Sequence, residues 1–303
     1  MMREAAVKRR AAVIGSAGQL GVELVRELNQ RGYQTVGWDR SHLDITDNQQ
    51  VESVLTPWDP QVVFNAAAYN QVDVAESEPQ AAFVVNALAV RNLALACRQL
   101  DAQFVHFSTD YVFDGAAGRP YLESDPTHPL GAYGVSKLAG ELYAQAYLDA
   151  PLIVRTSGVF GPGGLRTARG NFVEVMLRLA RSGQPIRVVE DHVASPTYAP
   201  LLAARTVDLV EGGHTGVFHV GGGVPTSWFH YAQAIFAVVQ PEHPVELHPT
   251  SEREYRTAAH RPKFSALSNA HMESVGIAAM PPLEEALRLY FAARENLLSS
   301  SRA

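Results

Sequence analysis

A tyrosine followed four residues later by a lysine is the first feature of this chain that can do chemistry. "YGVSK" places Tyr133 and Lys137 at i and i+4 in what reads as the first turns of a helix, so both project from one face. The chain holds only three lysines against 22 arginines, and a compact ammonium whose pKa shifts readily does work that a guanidinium cannot. Lys137 beside Tyr133 is expected to stabilise the phenolate and draw the phenol pKa from about 10 toward neutral, making Tyr133 a general acid–base. Just upstream, "STDYVF" ends a strand-like run, and Thr109 offers a hydroxyl that can polarise a carbonyl, with Ser108 as the lesser alternative.

A second constellation lies near the start. "GSAGQLG" sets Gly15, Gly18 and Gly21 at G-x-x-G-x-x-G spacing, with Gln19 and Leu20 between the last two, directly after a strand-like run and at the opening of a helix. Glycines there permit a tight turn, close approach of backbone to a pyrophosphate and helix-on-strand packing, while the helix N-terminus presents free N–H groups. Asp39, closing the next strand in "TVGWDR", is placed to accept hydrogen bonds from ribose hydroxyls, which favours NAD; its neighbour Arg40 is able to face a 2′-phosphate, so NADP stays open.

The elements that must carry these residues alternate. "AAVIG", "YQTVGWD", "QVVFNAAA", "QFVHFSTDYVF" and "LIVRTSGVF" read as strands separated by amphipathic helices, the pattern of βαβ units and a parallel sheet covered on both faces. The fold class is therefore α/β: a Rossmann-type, doubly wound parallel sheet with a smaller, less regular C-terminal substrate lobe. The boundaries expected are 1–160 for the dinucleotide domain, with a returning segment near 185–222 that includes "GVFHVGG", and 161–184 with 223–303 for the lobe. "GPGGLRTARGN" reads as a glycine-rich loop and "LLSSSRA" as a frayed end.

Composition narrows the field. A net charge of −6 lacks the basic field that nucleic acid or an anionic membrane requires. No apolar stretch reads as membrane-spanning and no signal peptide is legible, so the cytoplasm is the expected location. The lone Cys97 sits in a helical apolar pattern and reads as a buried thiol. The His and Glu residues of "PEHPVELHPTSERE" match no ligand spacing, so no metal is expected.

Taken together, "LDITD", "NAAAYNQVDVAESEP", "HFSTDYVFDG", "YGVSKLAGE", "VRTSGVFG", "SPTY" and "RPKFSAL" resemble the dTDP-4-dehydrorhamnose reductase family of the extended short-chain dehydrogenase/reductases along nearly the whole chain. The resemblance implies Thr109, Tyr133 and Lys137 as catalytic residues, with Asp44 and Ile45 at the adenine end of NADPH or NADH. It sets Ala66 and Ala67 beside the nicotinamide ribose and Asp110 and Tyr111 against the sugar. Asp44 has a competing reading as the cap of the helix in "NQQVESVL", and Asn86 one as a helix-packing residue. Arg261 reads either as a contact for a nucleotide diphosphate or as a surface arginine before Pro262. Gly158 stands where the family has a tryptophan and His192 where it has a glutamine; Trp228 and Phe160 are candidates to fill the space at Gly158.

The implied function is NAD(P)H-dependent reduction of the C4 ketone of a dTDP-4-dehydro-6-deoxyhexose, a small-molecule nucleotide sugar, by a monomer or homodimer. The alternatives are reduction of a different 4-keto nucleotide sugar and a non-catalytic dinucleotide-binding regulatory subunit.

Overall fold

A computed structural model describes residues 9–167, 170–241 and 243–300. In chain order the elements are β1 (Arg10–Ile14), α1 (Gln19–Gln30), β2 (Gln34–Trp38), α2 (Asn48–Trp58), β3 (Val62–Asn65), α3 (Val72–Ser77) and α4 (Pro79–Phe83), which runs through a π-helical turn, Val84–Leu88, into α5 (Ala89–Gln99). Then come β4 (Gln103–Thr109), α6 (Ala132–Tyr147), β5 (Leu152–Thr156), α7 (Phe172–Arg181), β6 (Ile186–Val189), β7 (Val193–Ala194), α8 (Ala199–Glu211) and β8 (Gly216–His219). The chain closes with β9 (Thr226–Ser227), α9 (Trp228–Val239), β10 (Leu247–Thr250), α10 (Ala270–Ser274) and α11 (Leu283–Ser300).

Six strands form one parallel sheet in the order β2-β1-β3-β4-β5-β8. Its central strands alternate between two cores, because successive side chains leave a strand on opposite faces. Ala11, Val13, Val62, Phe64, Val105 and Val154 pack with Leu24 and Leu28 of α1 and with α8. Ala12, Ile14, Val63, Phe104 and Ile153 pack with α2 and α5. Burial on both faces is why these strands read as continuous apolar runs. A third core, built on Phe160, Tyr231 and Tyr290, belongs to α7, α9 and α11, where β6 pairs with β10 rather than with the central sheet.

The order reverses between β1 and β3, and β1 has both β2 and β3 as neighbours. Connections therefore leave on opposite sides and open a crevice at the carboxyl ends of these strands, the place where ligands bind in open α/β sheets.

Several sequence readings change. Asp47, not Asp44, caps α2: its carboxylate accepts from Gln49 N and Gln50 N at 2.9 and 3.2 Å, satisfying two otherwise orphaned donors. The glycine-rich loop contains a 3₁₀ turn at Pro162–Arg166. The C-terminal helix continues to Ser300, held by the core contacts of Leu287 and Tyr290, and only the last three residues of "LLSSSRA" lie outside the described part. The helix Pro79–Gln99 is long and apolar enough to cross a bilayer, contrary to the sequence reading. Half of it is buried inside the protein, with Val90, Leu93 and Cys97 in the core beneath the sheet, so its apolar character is accounted for as sheet cover.

Candidate active site

The glycine loop turns as its spacing requires. Gly15 adopts φ +79°, open to glycine without strain, and its N–H donates to Trp38 O at 2.7 Å. A Cβ on Gly21 would stand 2.1 Å from Gly15 O, and one on Gly15 would stand 2.7 Å from Ala67 N. The loop is thus clamped between α1 and the segment after β3, with Ala66 and Ala67 close against it. Gln19 opens α1, but its side-chain oxygen accepts from Asn171 Nδ2 at 3.2 Å, and Leu20 packs against the core.

At the end of β2, Asp39 accepts from Ser41 N, Ser41 Oγ and His42 Nδ1 at 2.9, 2.6 and 2.8 Å, and the Ser41 bonds above all hold its pKa near about 2. Asp44 accepts from Thr46 N and Oγ1, which lowers its pKa, while Ile45 is buried against α2 and α5. These residues border the same crevice as the glycine loop. A cradle that a single Cβ would fill, an open helix N-terminus and an ionised acid at the end of β2 suit a dinucleotide's pyrophosphate and ribose.

The second half of the site stands at β4 and α6. Thr109 ends β4; its Oγ1 accepts from Tyr111 N at 3.2 Å and donates to Asp110 Oδ1 at 3.0 Å. Tyr133 lies within hydrogen-bonding reach of Thr109 and edge-on to Tyr111, ring centroids 5.9 Å apart. Ser108 points to the opposite side of the strand and donates to Glu141, so the alternation of β4 takes it away from Tyr133.

Lys137 is buried, and its Nζ donates to Phe107 O at 2.6 Å. Burial lowers its pKa to about 8, with Glu141 one turn onward opposing the drop. Contrary to the sequence expectation, Tyr133 is not drawn down. Burial pushes it up to about 12, only partly offset by hydrogen bonding to Thr109, and the Asp110 charge adds to the rise. The phenol therefore keeps its proton across neutral pH, the condition of a proton donor rather than a base.

Asp110 is almost fully buried and accepts from Ser157 Oγ at 2.8 Å, Ser265 Oγ at 2.5 Å and Thr109 Oγ1. Burial raises its pKa to about 6 despite the three hydroxyls. Arg261, read from sequence either as a diphosphate contact or as a surface arginine, is paired with Asp73 at 3.0 and 2.7 Å and hydrogen-bonded to Tyr111. From the same short α3, Glu76 accepts from Ala132 N at 2.8 Å, capping the helix that carries Tyr133.

Sequence reading missed Glu141 as a support and gave Asn86 as a helix-packing residue. Glu141 takes a paired contact from Arg155, whose Nη2 lies 2.7 Å from Oε2; its signal was the i+4 step from Lys137 in "KLAGE". Asn86, on the π-helical turn, accepts from Tyr69 N at 2.8 Å and donates to Tyr69 O and Ser136 Oγ at 2.9 and 3.0 Å. It ties the segment after β3 to α6, and a π-turn inside a helix often marks such a place. Gly158 sits at φ +53°, and a Cβ there would lie 3.8 Å from Trp228 Cη2. Trp228 thus approaches this glycine, while Phe160 is committed to the core of α7, α9 and α11. His192 is buried, with its Nε2 3.6 Å from Glu252 Oε2. Among the described residues no three His, Cys, Asp or Glu side chains are grouped to hold a metal ion.

Comparison with known proteins bears on this arrangement. Residues 9–295 match the family described as the RmlD substrate binding domain. The chain is 38% identical over 285 residues to the spore coat polysaccharide biosynthesis protein SpsK of Bacillus subtilis, covering 94% of this chain and 97% of that one. It is 40% identical over 282 residues to a dTDP-4-dehydrorhamnose reductase of Burkholderia thailandensis, covering 88% and 92%. The crystal structure of dTDP-4-dehydrorhamnose reductase from Bacillus anthracis in complex with NADP superposes with a TM-score of 0.89 at 36% identity, covering 94% of this chain and 99% of that chain.

Proposed function

From its membership of the RmlD substrate binding domain family, we propose that this chain is an NAD(P)H-dependent oxidoreductase that reduces the C4 ketone of a dTDP-4-dehydro-6-deoxyhexose, dTDP-4-dehydrorhamnose to dTDP-L-rhamnose. The observation that carries the reading is the convergence of Thr109, Tyr133 and Lys137 at the carboxyl edge of the sheet, one strand from the glycine cradle.

In this reading Gly15, Gly18, Gly21, Asp39 and the Ala66–Ala67 backbone hold NADPH or NADH, which supplies the hydride when bound. Tyr133 donates the proton to the carbonyl oxygen, and its elevated pKa keeps that proton available at neutral pH. The Thr109 hydroxyl turns from Asp110 toward the carbonyl and orients it. Lys137, fixed by Phe107 O, sets a positive charge below the developing phenolate and offers donors to ribose hydroxyls. Tyr111 and the buried Asp110 border the sugar, and the residues after Gly161 in α7, α9 and α11 form the lobe that closes over it. The enzyme acts in the cytoplasm as a monomer or homodimer.

The experiment is oxidation of NADPH and of NADH, followed at the nicotinamide absorbance, with enzymatically generated dTDP-4-dehydrorhamnose and a sugar-free control. Sugar-dependent oxidation is expected; its absence with dinucleotide binding intact would remove this substrate. One observation favours a neighbouring reading: Gly158 leaves the aromatic contribution at that corner to Trp228, so a different 4-keto sugar tested in parallel decides between them.

A further inference from the structure

Three carboxylates among the described residues are buried, and two of them have a cation: Glu23 lies 2.7 Å from Arg26 and Glu141 lies 2.7 Å from Arg155. Asp110 has no ion-pair partner among the described residues. It is met instead by hydroxyls from three separate stretches of chain. Ser157, after β5, and Ser265, before α10, both donate to Oδ2, at 2.8 and 2.5 Å, while Oδ1 has the Thr109 hydroxyl at 3.0 Å as its one side-chain partner. The two serines are held by the 193–195 backbone: Ser195 N donates to Ser157 Oγ at 3.3 Å and Ser265 N to Val193 O at 2.8 Å.

The arrangement makes the two oxygens unequal. Oδ2 already accepts from two hydroxyls, so a proton added to Asp110 goes to Oδ1, against Thr109. A threonine hydroxyl has one proton to give and two lone pairs with which to accept. With Asp110 ionised, the Thr109 proton is committed to Oδ1, and its lone pairs serve Tyr111 N, at 3.2 Å, and the Tyr133 phenol. Neither hydroxyl then points at a substrate. With Oδ1 protonated the bond between the two residues reverses: Asp110 donates to Thr109 Oγ1, Tyr111 N fills the second lone pair, and the protons of Thr109 and Tyr133 are both released.

Resting on the reductase reading above, we propose that Asp110 is a positioning residue for the reduction: its protonated form turns the Thr109 hydroxyl and the Tyr133 phenol together onto the carbonyl oxygen of the substrate. Asp110 loses no proton in that step. Hydride comes from the nicotinamide and the proton from Tyr133, and Asp110 sets only the direction of the two hydroxyls. The form required is within reach, because burial brings the Asp110 carboxyl up to about 6. The titratable groups on which its charge acts are Tyr111 beside it and Tyr133 of α6, and both keep their protons at neutral pH. From the stretches that carry Ser157 and Ser265 it meets hydroxyls and no charge.

The test compares pH–rate profiles of wild type, Asp110→Asn and Ser265→Ala, with NADPH and a 4-keto nucleotide sugar both saturating. In Asp110→Asn the amide oxygen suits the two serines, and the amide nitrogen then faces Thr109 as a permanent donor. Wild-type kcat should fall about 10-fold or more between about pH 5 and 8, and that of Asp110→Asn should be level across the same range. Ser265→Ala removes one donor from the carboxylate and should move the wild-type inflection to higher pH, which a loss of folding stability alone does not do. Parallel profiles for wild type and Asp110→Asn, or an inflection that Ser265→Ala leaves in place, overturn the role of Asp110. Infrared difference spectra give a second reading that needs no turnover. A carboxylic-acid C=O band that grows in wild type as the pH falls through about 6 and is missing from Asp110→Asn is expected; its absence overturns the proposal. That band together with no reduction of any 4-keto nucleotide sugar removes the reductase reading, and the role with it, while the Asp110 proton stands.

Discussion

Beside the carboxyl end of β4, Lys137 of α6 and Arg155 of β5 are buried; Lys137 Nζ donates to Phe107 O and Arg155 Nε and Nη2 donate to Glu141, while Arg155 Nη1 has no protein acceptor. In the 251–263 segment, Arg253, Arg256 and Lys263 stand in solvent around a cavity that Asp191 and Glu252 also line, and none of the three has an ion-pair partner among the described residues. The same kinds of residue therefore serve two purposes. A buried cation left without a counter-charge would cost several kcal/mol, so the fold must supply one, as Glu141 does for Arg155. An exposed cation costs little to leave waiting and keeps its capacity for a ligand.

The largest expected effect falls on the buried side. Tyr133→Phe removes the proton donor and should lower reductase turnover about 10² to 10⁴-fold, with NADPH affinity unchanged in a fluorescence titration. Retained turnover would mean that the proton comes from elsewhere. Glu141→Gln leaves Arg155 buried without its counter-charge and should cost about 3–5 kcal/mol in chemical denaturation. A cost below 1 kcal/mol would put this pair on a level with the solvated charges and dissolve the contrast.

Lys137 tests the same contrast through pH. Its folded pKa of about 8 lies below the ordinary lysine value, so from about pH 8 to 10.4 the unfolded chain holds more protons than the folded one and this group's contribution to stability rises with pH. Lys137→Met should flatten the wild-type stability curve in that window. Over the same range, turnover should fall as the ammonium discharges, and a pH–rate profile flat to pH 10 would exclude a role for its charge. The smallest effect is expected at the partly exposed Asp73–Arg261 pair, where Asp73→Asn should change global stability by about 1 kcal/mol or less, read as a small shift in the thermal midpoint.

Much of the dinucleotide half was legible because its requirements are local. Gly15, Gly18 and Gly21 are dictated by a turn whose backbone needs positive φ or the absence of a Cβ within seven residues of chain. Tyr133 and Lys137 are set by helical spacing alone. Asp44 was misplaced by three residues because aspartates at 44 and 47 both precede the same helix, and only backbone geometry selects the one whose carboxylate meets Gln49 N and Gln50 N. Arg261 illustrates a longer-range difficulty, since its partner Asp73 is 188 residues away and nothing in either stretch announces the other.

What the sequence determined by itself is therefore the order of strands and helices through β5, the phosphate turn and the face that Tyr133 and Lys137 share, since hydrophobic period and backbone sterics act over a few residues. The tertiary structure alone decided the protonation of the site and the partner of each charge. Burial, not the neighbouring lysine, sets Tyr133 near about 12, and long-range packing gives Arg155 to Glu141 and Arg261 to Asp73 while leaving Arg253 and Arg256 at the cavity. Desolvation and ion pairing depend on what surrounds a group in space, and residues distant in sequence supply those surroundings.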